Sequence, residues 1–332
     1  MRNRFLRLAA LVAASLGVAD AAAAGQTPGS LLVFPEFNNH AGVQNLLTIT
    51  NTSATDSVTV EIIYIDGDDC SEVNRHVELT PRDTFTFLTK YHNPQMARGY
   101  AYAFAKESVT GAPISFNHLV GGSVSLFGKL NLGGAGGFGA NDTQLAATNP
   151  WVFQAPGAEG SSTELNGDGL RNLDGNEYTR APDRIVIPRF LGQDGNVEST
   201  LYLIGLTGGA RFTTTVDFLI HNDNEEVFSS EYSFDCWAAV RLSDISGIFN
   251  SSYLQAFTNQ DPNEVFGTPR TEAGWILLDG AVASSASTTY ADPAILAFLG
   301  ETLAGQANAQ LPFCQGEQAN GSLLARSLDG TF

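Results

Sequence analysis

A short apolar segment that contains a proline occurs twice in this chain. Ser30-Leu-Leu-Val-Phe-Pro-Glu-Phe37 returns in the second half as Arg184-Ile-Val-Ile-Pro-Arg-Phe190. Each copy predicts an opening or edge strand, because proline lacks the backbone N–H that the interior of a sheet requires. Two copies of one opening strand indicate two copies of one folding unit.

The segments that follow each copy also agree in type and order. Short β-branched or aromatic runs with period-two alternation predict strands at 45–51, 58–65, 73–79, 83–88, 99–105 and 123–127, and residues 113–119 are expected to form either a strand or a helical turn. Matching landmarks follow the second copy at 200–204, 214–224, 231–234, 240–242, 274–278 and 291–299. Seven short strands per unit are typical of an immunoglobulin-like sandwich.

These patterns predict an all-β protein with two tandem immunoglobulin-like β-sandwich modules that arose by internal duplication. Asp292 and Pro293 are a favourable N-cap and first helical residue, so a short C-terminal helix is expected over 294–303. The predicted division is a signal peptide at 1–24, module 1 at 25–127, a glycine-rich linker at 128–182, module 2 at 183–303 and a surface tail at 304–332.

The first residues carry the pattern of a secretory signal peptide. Arg2, Arg4 and Arg7 precede an apolar run over 8–19, and Ala22-Ala-Ala24 supplies a small-residue cleavage site. That run is too short to cross a bilayer and no later run is long enough, so we expect export, to the periplasm, outer surface or medium, without membrane insertion. The formal net charge of −18 also excludes nucleic acid, which is itself a polyanion, as an expected partner.

Three cysteines, Cys70, Cys236 and Cys314, are expected to enter an oxidising compartment. All three pairings are open from the sequence, and we favour Cys236 with Cys314, which would join the tail to module 2. Neither a C-x-x-C nor a Cys/His grouping is present, which argues against a zinc or redox site.

One segment of the linker has the spacing of an oxygen-coordinated cation loop. Side chains at alternate positions, a glycine at the sixth and an apolar carbonyl at the seventh are what calcium requires. The segment resembles the D-x-D-x-D-G-L loops of bacterial extracellular calcium modules over about a dozen residues, and the resemblance implies calcium. A turn-rich linker without an ion is the alternative. The predicted ligands are Glu164, Asn166, Asp168, Leu170, Asn172, and Asp174 or Glu177 in place of the acid that Gly175 replaces.

Catalytic motifs are missing from the sequence. The five histidines show no H-E-x-x-H spacing, and there is neither a G-x-S-x-G elbow nor a P-loop. Carboxylates are so abundant that no acid/base pair for glycoside hydrolysis stands out. Acidic loops at 66–72 and 222–226 occupy matching places and are expected to be solvated turns, with a pair of cation sites as the alternative. Tryptophans and tyrosines offer a sugar-stacking surface, although Trp275 and Tyr100 lie in alternating strands and are expected in the core.

The sequence therefore favours a non-catalytic structural or interaction protein of the cell envelope or the extracellular space. A carbohydrate-binding or adhesive module, stabilised by calcium, is the alternative, and an unrecognised hydrolase ranks third. A polysaccharide and an envelope protein are the partner classes that these readings leave open.

Overall fold

The computed structural model describes residues 27–127, 144–194, 197–209, 212–222, 226–255, 273–303, 306–310 and 312–323. Nearly all regular structure in these ranges is β-strand, arranged in antiparallel sheets, so the all-β prediction is confirmed. No helix among these residues is long and apolar enough to cross a membrane. The predicted signal peptide lies outside the described residues.

The first half contains two sheets. Sheet 1A has the strand order β4-β3-β6-β1-β9 and sheet 1B the order β5-β2-β7-β8. The elements are β1 (Leu31–Asn38), β2 (Val43–Asn51), β3 (Val58–Asp66), β4 (Glu72–Leu79), β5 (Thr84–Leu88), α1 (Thr89–His92), β6 (Arg98–Lys106), β7 (Leu119–Phe127), β8 (Gln144–Thr148) and β9 (Trp151–Phe153).

The second half contains two sheets of the same kind and a small two-stranded ribbon, β10-β21. Sheet 2A has the order β14-β13-β16-β11-β20, with β17 also on β16, and sheet 2B the order β15-β12-β18-β19. The elements are β10 (Arg171–Leu173), β11 (Arg184–Leu191), β12 (Val197–Gly205), β13 (Thr213–Asn222), β14 (Val227–Phe234), β15 (Trp237–Arg241), α2 (Leu242–Ile245), the 3-10 turn η1 (Gly247–Phe249), α3 (Ser251–Gln255), β16 (Ala273–Ser284), β17 (Thr289–Ala291), β18 (Ile295–Leu303), β19 (Gln306–Gln310), β20 (Phe313–Gln315) and β21 (Gly321–Leu323).

The strand order of sheet 1A agrees with that of sheet 2A, and the order of sheet 1B agrees with that of sheet 2B. Both proline segments also break their ladder at the same place. The register of β1 with β6 shifts between Phe34 and Phe37, and that of β11 with β16 shifts between Ile187 and Phe190. The proline between each pair cannot donate to the neighbouring strand, so the chain bulges there.

Period-two alternation builds a core inside each half. In β13, Val216, Phe218 and Ile220 are buried, while the residues between them point to the opposite face. The buried side chains of sheets 2A and 2B form one apolar cluster, and those of sheets 1A and 1B form another. Each pair of sheets is therefore sandwich-like.

A third apolar cluster joins the two halves. It includes Val33 and Tyr102 from the outer face of sheet 1A and Ile204, Trp237 and Leu296 from the outer face of sheet 2B. Sheet 1A is consequently covered on both faces, and β1 is buried along its whole length. By contrast, β11 has exposed positions on its outer face.

The proline bulge of β1 takes part in this contact. Trp237 donates its indole N–H to the carbonyl oxygen of Pro35 at 2.8 Å. Arg98 lies 5.1 Å from the centre of the indole ring. The bulge therefore presents a backbone acceptor to the other half of the chain.

The predicted disulfide between Cys236 and Cys314 is wrong. Cys70 is bonded to Cys236, with the Cα atoms 6.0 Å apart, and this bond links the turn after β3 to the turn before β15. Cys314 is an exposed free thiol on β20, at an edge of sheet 2A. Pairing depends on which turns the packing of the halves brings together, and local sequence does not contain that information.

The predicted helix over 294–303 is also wrong, since these residues form strand β18. Its backbone pairs with β12, and its two side-chain faces meet different cores: Ala297 lies inside the second half, and Leu296 lies between the halves. A strand buried on both faces has a continuous apolar sequence, which resembles that of a buried helix.

Two segments expected to be irregular supply strands. Residues 144–153, assigned to the linker, add β8 to sheet 1B and β9 to sheet 1A. Residues 306–323, assigned to the surface tail, form β19, β20 and β21, and Leu323 enters the core between the halves. The glycine-rich stretch 133–139 of the predicted linker lies outside the described residues.

Candidate functional site

The outer faces of sheets 1A and 2A occupy equivalent positions but have different surroundings. Phe37 pairs with Gly99, and Phe190 pairs with Gly274, so the residues after each glycine correspond. Tyr100 is 3% exposed beneath sheet 2B, whereas its counterpart Trp275 is 37% exposed. Tyr100 is therefore a core residue as predicted, and the prediction of a core position for Trp275 is wrong.

Strand register arranges the open face of sheet 2A in three rows that cross the strands. The aromatic row is Val227, His221 and Trp275. The apolar row is Ser229, Leu219, Leu277, Val186 and Phe313. The polar row is Glu231, Asp217, Asp279, Arg184 and Gln315. Directly paired residues, and residues two apart along a strand, share one face of a sheet, so the three rows lie side by side.

In the aromatic row, the rings of His221 and Trp275 stack with parallel planes and centroids 3.9 Å apart. The two residues are direct partners on β13 and β16. Stacking limits the rotation of both side chains, so the indole is held at the surface without being buried.

The polar row contains three carboxylates and one cation. Arg184 Nε lies 3.0 Å from Asp279 Oδ2, and both groups are partly exposed, so this pair contributes little to folding stability. Burial raises the pKa of Asp279, although the hydrogen bond and charge of Arg184 act in the opposite direction. Asp217 is the direct cross-strand neighbour of both Asp279 and Glu231.

An open groove of about 680 Å³ runs along the polar row and the adjoining part of the apolar row. Its walls come from β11, β13, β14 and β16, with Leu219 and Leu277 on one side and the carboxylates on the other. The arrangement therefore offers an apolar strip and a line of hydrogen-bonding groups to one ligand.

The sequence contained a signal for this face that a search for motifs misses. Equivalent positions are Leu31 in β1 against Arg184 in β11, and Phe104 in β6 against Asp279 in β16. At these two positions a polar residue of the second half stands where the first half has a buried apolar one, whereas Asp217 corresponds to Glu61, which is also acidic. This difference between the two halves can be interpreted as an open face only when the structure shows which sheet is covered.

Part of the predicted calcium loop converges on one atom. Asn166 Nδ2 lies 2.8 Å and Asn172 Nδ2 lies 3.0 Å from Asp168 Oδ2. The same side chain of Asp168 accepts the backbone N–H of Leu170 through Oδ1. Rotation of the two amides would turn their oxygens toward Asp168 and produce three oxygen ligands at one point.

The acidic members of the loop are hydrogen-bonded within it. Glu164 accepts hydrogen bonds from Gly169 N and from Arg171 at 2.8 Å. Glu177 accepts the N–H groups of residues 165 and 172, and burial raises its pKa. Burial also acts to raise the pKa of Asp174, but hydrogen bonds from residues 176 and 177 outweigh it, and the pKa is lowered.

Among the described residues, no three His, Cys, Asp or Glu side chains come together as a metal-binding group. Two of the predicted ligands are the amide oxygens of Asn166 and Asn172, which are not part of such a group. Calcium in the 164–177 loop therefore stays a prediction.

The acidic loop after β3 forms a turn. Asp66 accepts the N–H of Asp68, and Asp69 accepts the N–H of Ser71. Hydrogen bonding to the side chain and then to the backbone of Ser71 lowers the pKa of Asp69. Its counterpart in the second half includes residues 223–225, which lie outside the described residues.

The histidines near strand ends have structural partners. His92 packs against Phe87 and lies 2.9 Å from the hydroxyl of Tyr64. Burial lowers the pKa of His92, and the charge of Arg75 adds to this effect. Asn117, beside His118, donates a hydrogen bond to the backbone carbonyl of Ala155 and accepts one from its backbone N–H.

No family model matches the chain, and neither does any curated protein sequence. Among solved structures, the chain is similar to one titled "Crystal Structure of Thermotoga maritima 1070". The sequence identity is 17% and the TM-score 0.28, over 41% of this chain and 100% of the other.

Proposed function

We propose that this chain is an exported, non-catalytic interaction protein that binds its partner through the open face of sheet 2A. One observation carries the proposal. The central strands of the equivalent face of sheet 1A are covered, mainly by sheet 2B, whereas sheet 2A keeps Trp275, Leu219 and Phe313 at the surface beside a groove. An exposed apolar patch with a polar border is typical of interaction surfaces.

An internal duplication explains why one face is covered and the other is open. The two halves have the same strand order in both sheets and a proline bulge at the same point of β1 and β11. In such a duplicated protein, module 2 covers module 1, and no third module is present among the described residues to cover module 2.

The pairing of four strands supports the immunoglobulin-like assignment. β2 pairs with β5 in one sheet, and β3 pairs with β6 in the other, as strands B and E and strands C and F do in immunoglobulin domains. The other three strands differ from the constant-type arrangement, because β1 lies beside β6, β7 lies beside β2 and β4 lies beside β3. The proposed sandwich is therefore a variant in which the first strand takes the place next to F and the fourth the place next to C.

Export is supported by two independent features. The N-terminal residues have the pattern of a signal peptide. In addition, Cys70 and Cys236, far apart in the chain, form a disulfide between the halves, and such bonds persist in oxidising compartments.

The test is to fractionate the producing cell and compare three proteins: wild type, Leu219→Arg on the open face and Thr86→Arg on the outer face of sheet 1B. Both substituted side chains are exposed, so the two variants should fold equally well. We expect the exported fractions to contain all three, and Leu219→Arg alone to lose its association with envelope material. Cytosolic retention, or equal behaviour of the two variants, would contradict the proposal.

A further inference from the structure

Sheet 1B of a second copy is the first occupant to consider for the open face. In each half, the four-stranded sheet stands at an equivalent place, and sheet 2B covers sheet 1A with Tyr202, Ile204 and Trp237. A head-to-tail assembly would put sheet 1B of one copy on sheet 2A of the next. Such an interface would need apolar residues on sheet 1B.

Sheet 1B instead has a threonine surface at those positions. Thr48 and Thr86 share a hydrogen bond of 3.0 Å, and Thr50 and Thr84 share one of 2.9 Å. These hydroxyls satisfy one another in water and stand where sheet 2B has Tyr202, Ile204 and Trp237; a row of Leu46, Leu88 and Val124 lies beside them on the same face. Sheet 1B therefore has no aromatic side chains at the places where sheet 2B uses them to cover sheet 1A, which argues against head-to-tail assembly.

A second copy placed face to face fits no better. The polar row contributes Glu231, Asp217 and Asp279 against the single cation Arg184. Two such rows brought together would oppose six carboxylates, and each chain already has a formal net charge of −18. Charge repulsion thus disfavours this arrangement, and the same reasoning disfavours anionic ligands.

We propose that the open face of sheet 2A binds a polysaccharide free of anionic groups. Trp275 stacks on one sugar ring, and the polar row binds the hydroxyls of other rings in the same polysaccharide. This assignment rests on the proposed function, in which the open face is the binding surface. It adds the chemical class of the ligand and the residues that recognise it.

The dimensions of the rows suit a sugar chain. Adjacent strands are about 4.8 Å apart, so the polar row spans roughly 15 Å from β14 to β11, enough for a short run of rings. Rows two residues apart are separated by about 7 Å, so a ring bound over Leu219 and Leu277 also reaches the polar row. Sugar rings need both contacts, because their C–H faces are apolar and their edges carry hydroxyls.

The polar row provides charge-assisted hydrogen bonds, which are stronger than hydrogen bonds between neutral groups. The carboxylates of Asp217 and Glu231 accept hydrogen bonds from sugar hydroxyls, while the planar guanidinium of Arg184 donates hydrogen bonds to sugar oxygens. Stacked on His221, Trp275 offers a preorganised aromatic surface, which lowers the entropy lost on binding. Aromatic anchors beside a few placed polar groups are the usual composition of specific ligand sites.

The test titrates the full-length exported protein with four uncharged hexasaccharides, built from cellulose, chitin, mannan and laminarin units, and with an anionic galacturonate hexamer. We expect one or more uncharged probes to bind and the galacturonate hexamer not to bind. Trp275→Ala should weaken binding by roughly tenfold or more, and Asp217→Asn by roughly tenfold. Thr86→Ala, on the other face of the protein, should change affinity less than twofold.

Three results would overturn the inference: no binding of any uncharged probe, binding that Trp275→Ala leaves unchanged, or equal binding of the anionic probe. Light scattering gives a fourth, namely a dimer that Leu219→Arg dissociates, since a second copy would then cover the face. If the sugars fail while envelope association still depends on Leu219, only the ligand class is wrong. If neither depends on the open face, the proposed function fails as well.

Discussion

The contact between the halves predicts that Gly67→Ala is strongly destabilising. A Cβ atom at Gly67 would lie 2.5 Å from Cε3 and 2.8 Å from Cζ3 of Trp237, closer than van der Waals contact allows. The indole cannot easily move away, because it is hydrogen-bonded to Pro35, lies beside Arg98 and follows the disulfide-bonded Cys236. Overpacking of this kind costs about 1–3 kcal/mol, and loss of the indole hydrogen bond adds about 1 kcal/mol.

We therefore expect Gly67→Ala to lower the free energy of unfolding by about 2–4 kcal/mol, measured by guanidinium denaturation with the disulfide intact. Gly122→Ala in β7 is the matched control, since an added Cβ there has no atom within 4 Å. Neither glycine has a positive φ, so backbone strain does not separate the two variants. The control should be neutral or more stable by up to about 1 kcal/mol. Equal denaturation midpoints for the two variants would refute the packing of Trp237 on Gly67.

Other perturbations test the disulfide, the loop and one histidine. Replacing Cys70 and Cys236 by serine opens a loop with a sequence separation of 166, and loop entropy predicts a loss of roughly 5 kcal/mol in chemical denaturation; an unchanged midpoint would contradict the bond. Calcium at millimolar concentration should raise the melting temperature over that in chelator, and Asp168→Ala should remove the difference; no difference in the wild type ends the calcium hypothesis. The pKa of His92 is lowered in the folded state, so its stabilising effect is present above its unfolded pKa, about 6.5, and is lost as pH falls through the folded value. His92→Gln should therefore flatten the decline of stability below pH 6.5, and identical pH profiles would show that His92 does not contribute.

Strand positions in the first half were predictable because alternation is a local property. The aromatic–alanine pattern at 99–105 predicted β6, and its aromatic face does pack on another sheet, as the sequence required. Pro35 and Pro188 predicted opening or edge strands, but β1 and β11 each lie between two other strands, and a bulge at the proline accommodates the missing N–H. These features depend on only a few neighbouring residues.

The predictions failed where the surroundings of a residue are formed by segments that are distant in the sequence. Residues 295–303 read as a helix because both faces of β18 are buried, one by each core. The sequence could not show which cysteine turns come together, and the alternation around Tyr100 and Trp275 did not by itself show that only Tyr100 would be buried. Periodicity shows that a strand has an apolar face, but only the packing of other sheets decides whether that face is covered.

The sequence by itself thus determined the all-β class and most strands of the first half, since these follow from local backbone chemistry and spacing. Only the tertiary structure decided that sheet 2B covers sheet 1A, that Cys70 joins Cys236 and that sheet 2A retains an open face. The physical reason is that two similar sandwiches must pack asymmetrically when one covers the other. The candidate site is the face that this asymmetry leaves uncovered.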